Sequence, residues 1–564
     1  MPKSARSPTG LLRALEQTKA TFGGDAAAHK LALLQALDKV TMPTAAAVLR
    51  LHEALCFLRA YPDDEAVLAQ VASMLLRFEQ RRDLRTNRRA LVNSGIAGTA
   101  IRFSFFACTA RWLSERFSGA LQIVWRGFEN SDLLNQRLSL FATWSETPGL
   151  DEVDMPMREW LRVLAGPDTT DADFLIRRCA QLGRSEQERE AFYDELDIDL
   201  ELRPGPGTPS RTEALLAGRP VHFQRQPFAR ERPDLAREMK RRATETAADE
   251  ALGERIVTLA RDAMVLRQRD LDAFAYGDRR DVRLFDCGDG LEFAVIGVIP
   301  ERRLLLESIY AYVTFKNGVP IGYVLTSALF ASSEVAYNVF DTWRGGEAGL
   351  VYGRVLGVTK QLYGSDTFTI YPYQLGGEGN SEGLKSGSWW FYQKLGFRAR
   401  DTEVLDLMRR ELAAMAKDKT HRSDLGTLQR LAEHNVYWSA SKARDDVIGV
   451  FPLANIGLAV TDYLAHRFGA DRERGEAVCA AEAAALCNVR GWQKWADGER
   501  LWWQRWSPLL LLLPGVSKWS AAELAALVAV VRAKGGRRES DYVRLLDSNQ
   551  KLRAALRRLA AAPR

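Results

Sequence analysis

Residues 309–330 read IYAYVTFKNGVPIGYVLTSALF, and this stretch decides the fold. Its first half alternates apolar and polar side chains with the period of two that is typical of a half-buried strand. Asn317 and Gly318 form the residue pair that tight hairpin turns favour. The stretch therefore predicts a β-hairpin, and the rest of the chain is organised around it.

The central block continues to residue 400 with alternating strands and helices. Three further strands are predicted, at residues 291–299, 335–342 and 367–373. A helix follows the glycine turn at residues 343–349, WRGGEAG, and is predicted to end at Gly364. A second helix is predicted over residues 381–395, with Gly396 as its cap.

Length and composition place the chain among ordinary globular proteins. It has 564 residues, which exceeds what one hydrophobic core usually supports and predicts two to four domains. The net charge is +6, from 78 basic and 72 acidic residues. This small excess permits a local basic patch but does not favour nucleic acid as a partner. The six cysteines have no short paired spacing, so neither a disulfide framework nor a metal site is predicted.

The sequence also predicts a cytoplasmic protein without a membrane partner. Residues 1–10 are polar and basic, unlike a secretory signal. The longest run of leucines covers residues 509–513. A membrane-spanning helix needs roughly 20 apolar residues, far more than this run provides.

Four domains or segments are predicted from shifts in composition. Residues 1–200 repeat apolar side chains at helical spacing and are expected to form a helical domain. Residues 201–250 are rich in Pro, Gly and Arg and are expected to be a linker, with a mobile connector at residues 225–242. Residues 251–402 are expected to form the sheet domain, and residues 403–564 a helical C-terminal domain.

Five arginines crowd one short segment of the predicted N-terminal domain. They are Arg81, Arg82, Arg85, Arg88 and Arg89. A solvent-exposed helix face explains them most simply, and a contact with a phosphate or an acidic partner is the alternative.

The order of elements in residues 309–400 resembles the GNAT superfamily of N-acyltransferases. Residues 391–397, FYQKLGF, are similar to that superfamily's helix-to-strand signature, and Asn380 lies upstream of it. The resemblance implies an α+β fold with a mixed, mostly antiparallel sheet and helices. In this chain, N- and C-terminal all-helical regions are expected to flank it.

The resemblance implies a function, the transfer of an acyl group from acyl-CoA to an amine that attacks directly. Acetyl-CoA is the first choice of co-substrate, and the sequence does not identify the amine. A glycine turn that opens a helix offers backbone N–H groups and the positive end of the helix dipole to the diphosphate of the carrier. The residues implied to bind the carrier are Arg344, Gly345, Gly346, Gly349 and Asn380.

The same resemblance implies the catalytic residues. The acyl-carrying arm would enter a gap between strands 335–342 and 367–373. Tyr392 lies where the superfamily often has a general acid, and Asp341 is the candidate general base, acting directly or through a water molecule. Glu334 and Glu347 are weaker candidates for the base.

One departure from the superfamily pattern leaves two alternatives open. Glu347 stands where the first glycine of the pattern belongs. A carboxylate about 5 Å from a diphosphate costs on the order of 1–3 kcal/mol in a partly screened site. A catalytically inactive GNAT-like binding or scaffold protein is therefore one alternative. A relative acting on aminoacyl-tRNA, with the basic runs near Arg81 and Arg237 contacting phosphates, is the other.

Overall fold

The chain folds into two units. The structure, a computed structural model, describes residues 7–229, 232–345 and 347–561. The first unit comprises Met1–Pro227, Arg255–Tyr276 and Lys316–Pro320, and the second comprises Phe228–Glu254, Gly277–Phe315 and Ile321–Arg564. The unit boundaries therefore differ from the four predicted segments, because helix and hairpin residues from the middle of the chain belong to the first unit.

Helices make up the larger part of both units. In chain order, the first of them are α1 (Pro8–Thr18), α2 (Ala26–Asp38), α3 (Ala45–Ala60), α4 (Glu65–Leu76), α5 (Arg82–Asn87), α6 (Ala107–Arg116), α7 (Ser131–Gln136), α8 (Thr147–Glu152), α9 (Met157–Ala165), α10 (Asp171–Cys179), α11 (Glu186–Asp194), α12 (Leu235–Glu238), α13 (Glu250–Val265) and α14 (Asp272–Ala275). The others are α15 (Ala348–Tyr363), α16 (Pro372–Leu375), α17 (Ser381–Ser386), α18 (Ser388–Leu395), α19 (Thr402–Lys417), α20 (Leu425–Leu431), α21 (Leu453–Phe468), α22 (Arg472–Leu486), α23 (Asp497–Leu512), α24 (Ala521–Lys534), α25 (Glu539–Ser548) and α26 (Gln550–Ala560). Among the residues that the structure describes, no helix combines the length and apolarity needed to cross a membrane.

The strands form two sheets. They are β1 (Ile101–Phe103), β2 (Leu121–Ile123), β3 (Leu200–Leu202), β4 (Thr244–Ala247), β5 (Gly277–Asp286), β6 (Leu291–Val298), β7 (Ser308–Lys316), β8 (Val319–Leu329), β9 (Ser332–Val339), β10 (Thr367–Ile370), β11 (Arg398–Ala399) and β12 (Val436–Ser439). The small sheet has the order β1-β3-β2, and the large sheet has the order β11-β12-β10-β9-β8-β7-β6-β5-β4.

The first unit is not all-helical, which corrects the prediction for residues 1–200. Its three strands pair antiparallel, with Leu202 opposite both Ile101 and Leu121. The strands are only three residues long, and their apolar side chains complete a core that helices α6 and α10 also supply. So short a run carries too few alternations for the period of two to show in the sequence.

The large sheet confirms the predicted α+β class with a mostly antiparallel sheet. The pairs β4/β5, β5/β6, β8/β9, β10/β12 and β11/β12 are antiparallel, and β9/β10 is parallel. At the predicted turn between β7 and β8, Asn317 and Gly318 have φ angles of +50° and +76°, as a hairpin turn of this type requires. The sheet takes strands from the predicted linker and from the predicted C-terminal domain, so neither of those regions is purely what the composition indicated.

The predicted helix over residues 381–395 is in fact two helices. Gly387, with φ of +68°, ends α17 and begins α18. A left-handed residue interrupts the helical hydrogen bonds, and glycine adopts this conformation without steric cost. The other predicted helix of this block, α15, ends at Gly364 as predicted, with φ of +85°.

The described part of the predicted mobile connector that follows residue 231 is docked on α15. Its helix α12 lies along α15, where glycines recur every fourth residue. A Cβ atom placed on Gly353 would lie 3.1 Å from the Cβ of Glu238, and one on Gly357 would lie 3.2 Å from the carbonyl oxygen of Glu238. The side chain of Gln361 then donates to and accepts from the backbone of Ala243, both at 3.1 Å. The glycine face of α15 is thus closed by the segment that the composition assigned to a connector.

Candidate functional site

The parallel pairing of β9 with β10 stops part-way along β9. Register pairs join Thr367 to Ser332, Phe368 to Ser333 and Thr369 to Glu334. Beyond Glu334, β9 continues to Val339 and pairs there only with β8, while β10 ends at Ile370. The parallel pairing therefore ends at Glu334, and β9 continues past it along β8.

Helix α15 connects these two strands, and its first turn lacks a side-chain cap. Glu347 is the N-cap residue and makes no side-chain hydrogen bond to the helix. The first N–H groups of a helix have no partner within the helix, so those of residues 348–350 can donate hydrogen bonds to an anion. Gly345 has φ of +87° and open space where a Cβ would lie. Gly346, also predicted to bind the carrier, lies outside the described residues.

Gly349 is covered by the segment that precedes α12. A Cβ atom on Gly349 would lie 3.3 Å from Cδ of Pro233. Glycine is needed here for a close approach within the protein. The coverage is lateral, whereas the N–H groups of a first turn point along the helix axis, so these amides are not blocked by Pro233.

Arg344 already has two acidic partners. Nη1 lies 2.7 Å from Oδ1 of Asp341, and Nη2 pairs with Oε1 of Glu382. Nε donates to the carbonyl oxygen of Val339 at 3.1 Å. The guanidinium group thus sits beside the first turn of α15, but a diphosphate would have to replace at least one carboxylate.

Asp341, the predicted general base, lies at the surface. Its side chain is 85% exposed, and its carboxylate faces Arg344. The structure therefore places Asp341 in an exposed ion pair, where water surrounds the carboxylate.

Asn380 acts as the N-cap of α17. Its Oδ1 accepts from the N–H of Gly383 at 2.9 Å, and its Nδ2 donates to the carbonyl oxygen of Tyr373 at 2.7 Å. Both ends of the amide are therefore engaged in holding the loop after β10. A contact with an acyl carrier would require one of these bonds to break.

Tyr392 is buried in an aromatic cluster on α18. Its ring lies edge-on to Tyr352 of α15 at 5.5 Å and to Phe397 at 5.7 Å. Burial raises the pKa of Tyr392 above its usual value, so the phenol is protonated at neutral pH, as a general acid must be. The cluster continues to Tyr337 of β9, whose ring lies 5.4 Å from that of Tyr352.

Glu334 is the carboxylate best placed for proton transfer. Ser327 of the neighbouring strand donates to its Oε2 at 3.3 Å. Burial raises the pKa of Glu334 to about 7, with a smaller contribution from the charge of Glu307. A general base is most effective when its pKa lies near the working pH. Sequence reasoning ranked Glu334 below Asp341 because burial is not readable from residue type.

Glu334 and Tyr392 lie on opposite faces of the sheet. Side chains alternate along a strand, so Glu334 faces away from Tyr337, and Tyr337 packs against α15 on the side where Tyr392 lies. Glu334 is the last residue of β9 that pairs with β10, and Tyr337 lies on the part of β9 beyond that pairing.

Three buried polar atoms around this point have no hydrogen-bond partner among the described residues. They are the hydroxyl of Tyr352, Nε1 of Trp343 and Nε1 of Trp389. All three side chains are buried, and the Tyr352 side chain has 0% exposure. A buried donor without a partner usually costs about 1–3 kcal/mol, so a ligand that accepted from these donors would gain from the contact.

Arg232 is a residue that sequence reasoning missed. It precedes Pro233, which covers Gly349, and its Nη2 would lie 3.4 Å from a Cβ placed on Gly396. The positive charge of Arg232 contributes to lowering the pKa of Arg398, although burial is the larger cause. Two neighbouring guanidinium groups near the end of α18 favour an anion. The signal in the sequence was the glycine spacing of α15, which indicates a docked partner segment.

No protein-family model, curated protein or solved structure matches this chain. The interpretation of the site therefore depends on its geometry and on the motifs in residues 309–400.

Proposed function

We propose that the protein is an N-acyltransferase that moves an acyl group, in the first instance acetyl, from acyl-CoA to an amine. The observation that carries the proposal is the buried carboxyl of Glu334 at the end of the β9/β10 pairing, with Tyr392 on the opposite face of the sheet. A thioester placed between the strands would have a proton acceptor on one side and a proton donor on the other. In this proposal the general base is Glu334 and not Asp341.

The proposed reaction needs no enzyme nucleophile. The amine nitrogen attacks the thioester carbonyl, a C–N bond forms and the C–S bond breaks. Glu334 takes the proton that the amine loses, directly or through water, and Tyr392 gives a proton to the departing thiolate. The hydroxyl of Tyr352, buried without a partner, would donate a hydrogen bond to the acyl-carrying arm.

Cationic and amide groups would bind the diphosphate and the terminal phosphate of the carrier. The uncapped first turn of α15 contributes backbone N–H groups. Arg344 would exchange its carboxylate partners for phosphate oxygens, and Arg232 would add a second guanidinium group. Asn380 keeps its capping bonds in this proposal unless the loop after β10 rearranges.

A catalytically inactive binding protein is the second candidate. Two observations favour it, namely the saturation of Arg344 by Asp341 and Glu382 and the engagement of both ends of Asn380. Under this alternative, the sheet would retain its shape and would have lost the carrier site.

Thermal unfolding with and without acetyl-CoA tests the proposal, followed by an assay of free thiol released in the presence of a panel of primary amines. At a concentration 100 times its Kd, a ligand that binds only the folded state stabilises it by about 2.7 kcal/mol. We expect protection that depends on concentration, together with amine-dependent release of thiol. Protection without thiol release would favour the binding protein. An unfolding temperature unchanged by acetyl-, propionyl- and malonyl-CoA would remove the acyl carrier from the proposal altogether.

A further inference from the structure

Four arginines on the first unit form a separate cationic surface. They are Arg82 and Arg85 of α5 and Arg88 and Arg89 of the 3₁₀ turn that follows it. All four are exposed. Across the residues that the structure describes, none of their guanidinium groups has an ion pair or a hydrogen bond to another side chain.

No exposed acidic side chain in residues 81–91 neutralises the charge of these four arginines. Asp83, the acidic residue within it, is buried, pairs with Arg81 at 2.7 Å and accepts from the N–H of Met42. Arg81 also donates to the carbonyl oxygen of Val40 at 2.8 Å. The one acid is thus turned inward and used, and Arg81 is a structural residue. Of the five arginines in this segment, Arg81 is bound within the fold, and the other four are exposed to solvent.

The arrangement is unfavourable for the isolated fold. Arg82 and Arg85 are three residues apart within α5, a spacing at which helical side chains are neighbours and like charges repel each other. Arg88 and Arg89 follow in the 3₁₀ turn after Asn87. Elsewhere in the same unit exposed arginines are paired, for instance Arg102 with Glu201 and Arg50 with Glu16. An anion bound from outside would remove the repulsion.

We propose that this surface binds the phosphate backbone of a nucleic acid without reading its sequence. The other outward residues of the segment are Thr86 and Ala90, which are small and provide no apolar anchor. Protein partners usually require a buried aromatic or aliphatic anchor at the centre of the interface. Phosphate contacts instead rely on arginine and hydroxyl side chains and need no pocket. Residues 81–91 contain no aromatic ring, so this segment contributes no base stacking.

The inference does not rest on the acyltransferase proposal, and it revises the expectation from net charge. A net charge of +6 reflects the whole chain. The four arginines lie together in one short segment, and the charge at a contact surface, not the net charge of the chain, determines binding to phosphates.

Fluorescence anisotropy with a labelled 20-nucleotide oligouridine and a 20-base-pair DNA duplex tests the proposal with the full chain. Binding through four arginines predicts a slope of log K against log salt of about −3 for the single strand and about −4 for the duplex. In the variant R82Q/R85Q/R88Q/R89Q we expect at least a tenfold loss of affinity at 0.1 M salt and a slope close to zero. Comparison of the two probes shows which form the surface prefers.

A matched control separates a local site from net charge. The variant R50Q/R102Q/R111Q/R137Q removes the same four charges from the same unit, but each of its arginines has an acidic partner, namely Glu16, Glu201, Glu186 and Glu195. This control is expected to keep the wild-type slope. An equal loss of affinity in both variants, or no binding by the wild-type protein, overturns the proposal.

Two further outcomes are decisive. If neither nucleic acid binds and polyglutamate binds through the same arginines, the surface belongs to an acidic protein partner and the proposal is refuted. If neither nucleic acid binds and phosphatidylserine vesicles bind through these arginines, the surface belongs to a membrane and the proposal is likewise refuted. Should the fourfold variant fail to fold, R85Q/R89Q replaces it, and the slope is expected to fall by half.

Discussion

Glu238 of α12 and Arg354 of α15 form an ion pair, with Oε2 and Nε 3.2 Å apart. Their side chains are 9% and 15% exposed. The pair joins the segment before β4 to the helix that carries the proposed phosphate site, and Pro233 and Arg232 are held there with it. The docked segment is therefore part of the architecture of the candidate site.

Glu238→Gln should destabilise the second unit. The substitution leaves Arg354 without its acidic partner in a mostly buried position, and we expect a loss of about 1–3 kcal/mol in the free energy of unfolding. Urea denaturation measures it. The control is Asp406→Asn, which removes a pair with Arg409 in which both side chains are 66% exposed and which should change stability by about 0.5 kcal/mol or less. Equal effects of the two substitutions would mean that the docked segment contributes nothing.

Glu334→Gln should lower turnover with acetyl-CoA and an amine by about 10²-fold and leave the Kd of acetyl-CoA nearly unchanged, because the carboxylate acts in proton transfer. The wild-type rate should rise with pH through about 7, where the carboxyl of Glu334 loses its proton, and this rise should disappear in the variant.

Asp341→Asn is the matched control for Glu334→Gln. It makes the same chemical change at an exposed carboxylate, and its turnover should stay within about twofold of the wild-type value, since a water-exposed group gains little as a base. The reverse order of effects would restore Asp341 as the base and remove Glu334 from the mechanism.

The raised pKa of Glu334 also predicts how stability depends on pH. Its pKa is about 7 in the folded protein and 4.5 as the ordinary value, so between these values the folded state holds a proton that the unfolded state has released. The contribution to stability is therefore complete below pH 4.5 and is lost as the pH rises through 7. A shift of this size corresponds to at most about 3 kcal/mol. Denaturation midpoints measured from pH 5 to 8 should show the decline in the wild-type protein and a flatter profile in Glu334→Gln.

Local patterns predicted the centre of the fold well. The alternation in residues 309–316, the Asn317–Gly318 turn and the glycine that ends α15 each depend on neighbours in the chain. The docking of α12 could not be predicted in the same way, because it depends on a contact between segments more than a hundred residues apart. The spacing of Gly349, Gly353 and Gly357 did indicate a closely approached helix face, and composition alone gave no reason to look for its partner.

The candidate site was less predictable than the fold for a related reason. The type of a residue does not reveal its burial, and burial distinguishes Glu334 from Asp341. Ion pairs were equally hidden, since Asp341 and Glu382 meet Arg344 only when the turn and α17 are placed together. The alternation along β9 was in principle sufficient to place Glu334 on the face opposite Tyr337.

Glu382→Gln should tighten the binding of acetyl-CoA. The carboxylate of Glu382 competes with the diphosphate for Arg344 and repels it, and removal of a charge at this partly exposed position is worth about 1 kcal/mol, or about fivefold in Kd. Calorimetric titration measures the change. Glu403→Gln, which removes an exposed acid at the start of α19, should leave Kd unchanged, and Arg232→Gln should weaken binding. A weaker affinity in Glu382→Gln would show that Arg344 does not contact the carrier.

Tyr352→Phe should separate the stability of the free protein from its affinity for the carrier. The Tyr352 hydroxyl is buried without a partner, so its removal should leave the free protein as stable or up to about 1 kcal/mol more stable. If the hydroxyl donates to the acyl-carrying arm, the same change should reduce protection by acetyl-CoA by roughly tenfold in Kd.

Tyr312→Phe is the control for Tyr352→Phe, because the Tyr312 hydroxyl has a partner, Oγ1 of Thr359, at 3.3 Å. Loss of the Tyr312 hydroxyl should destabilise the free protein and leave its affinity for acetyl-CoA unchanged. Thermal unfolding of the three proteins over a range of acetyl-CoA concentrations measures both quantities at once. A Tyr352→Phe protein that is less stable when free and equally protected by acetyl-CoA would place the hydroxyl in the core and outside the carrier site.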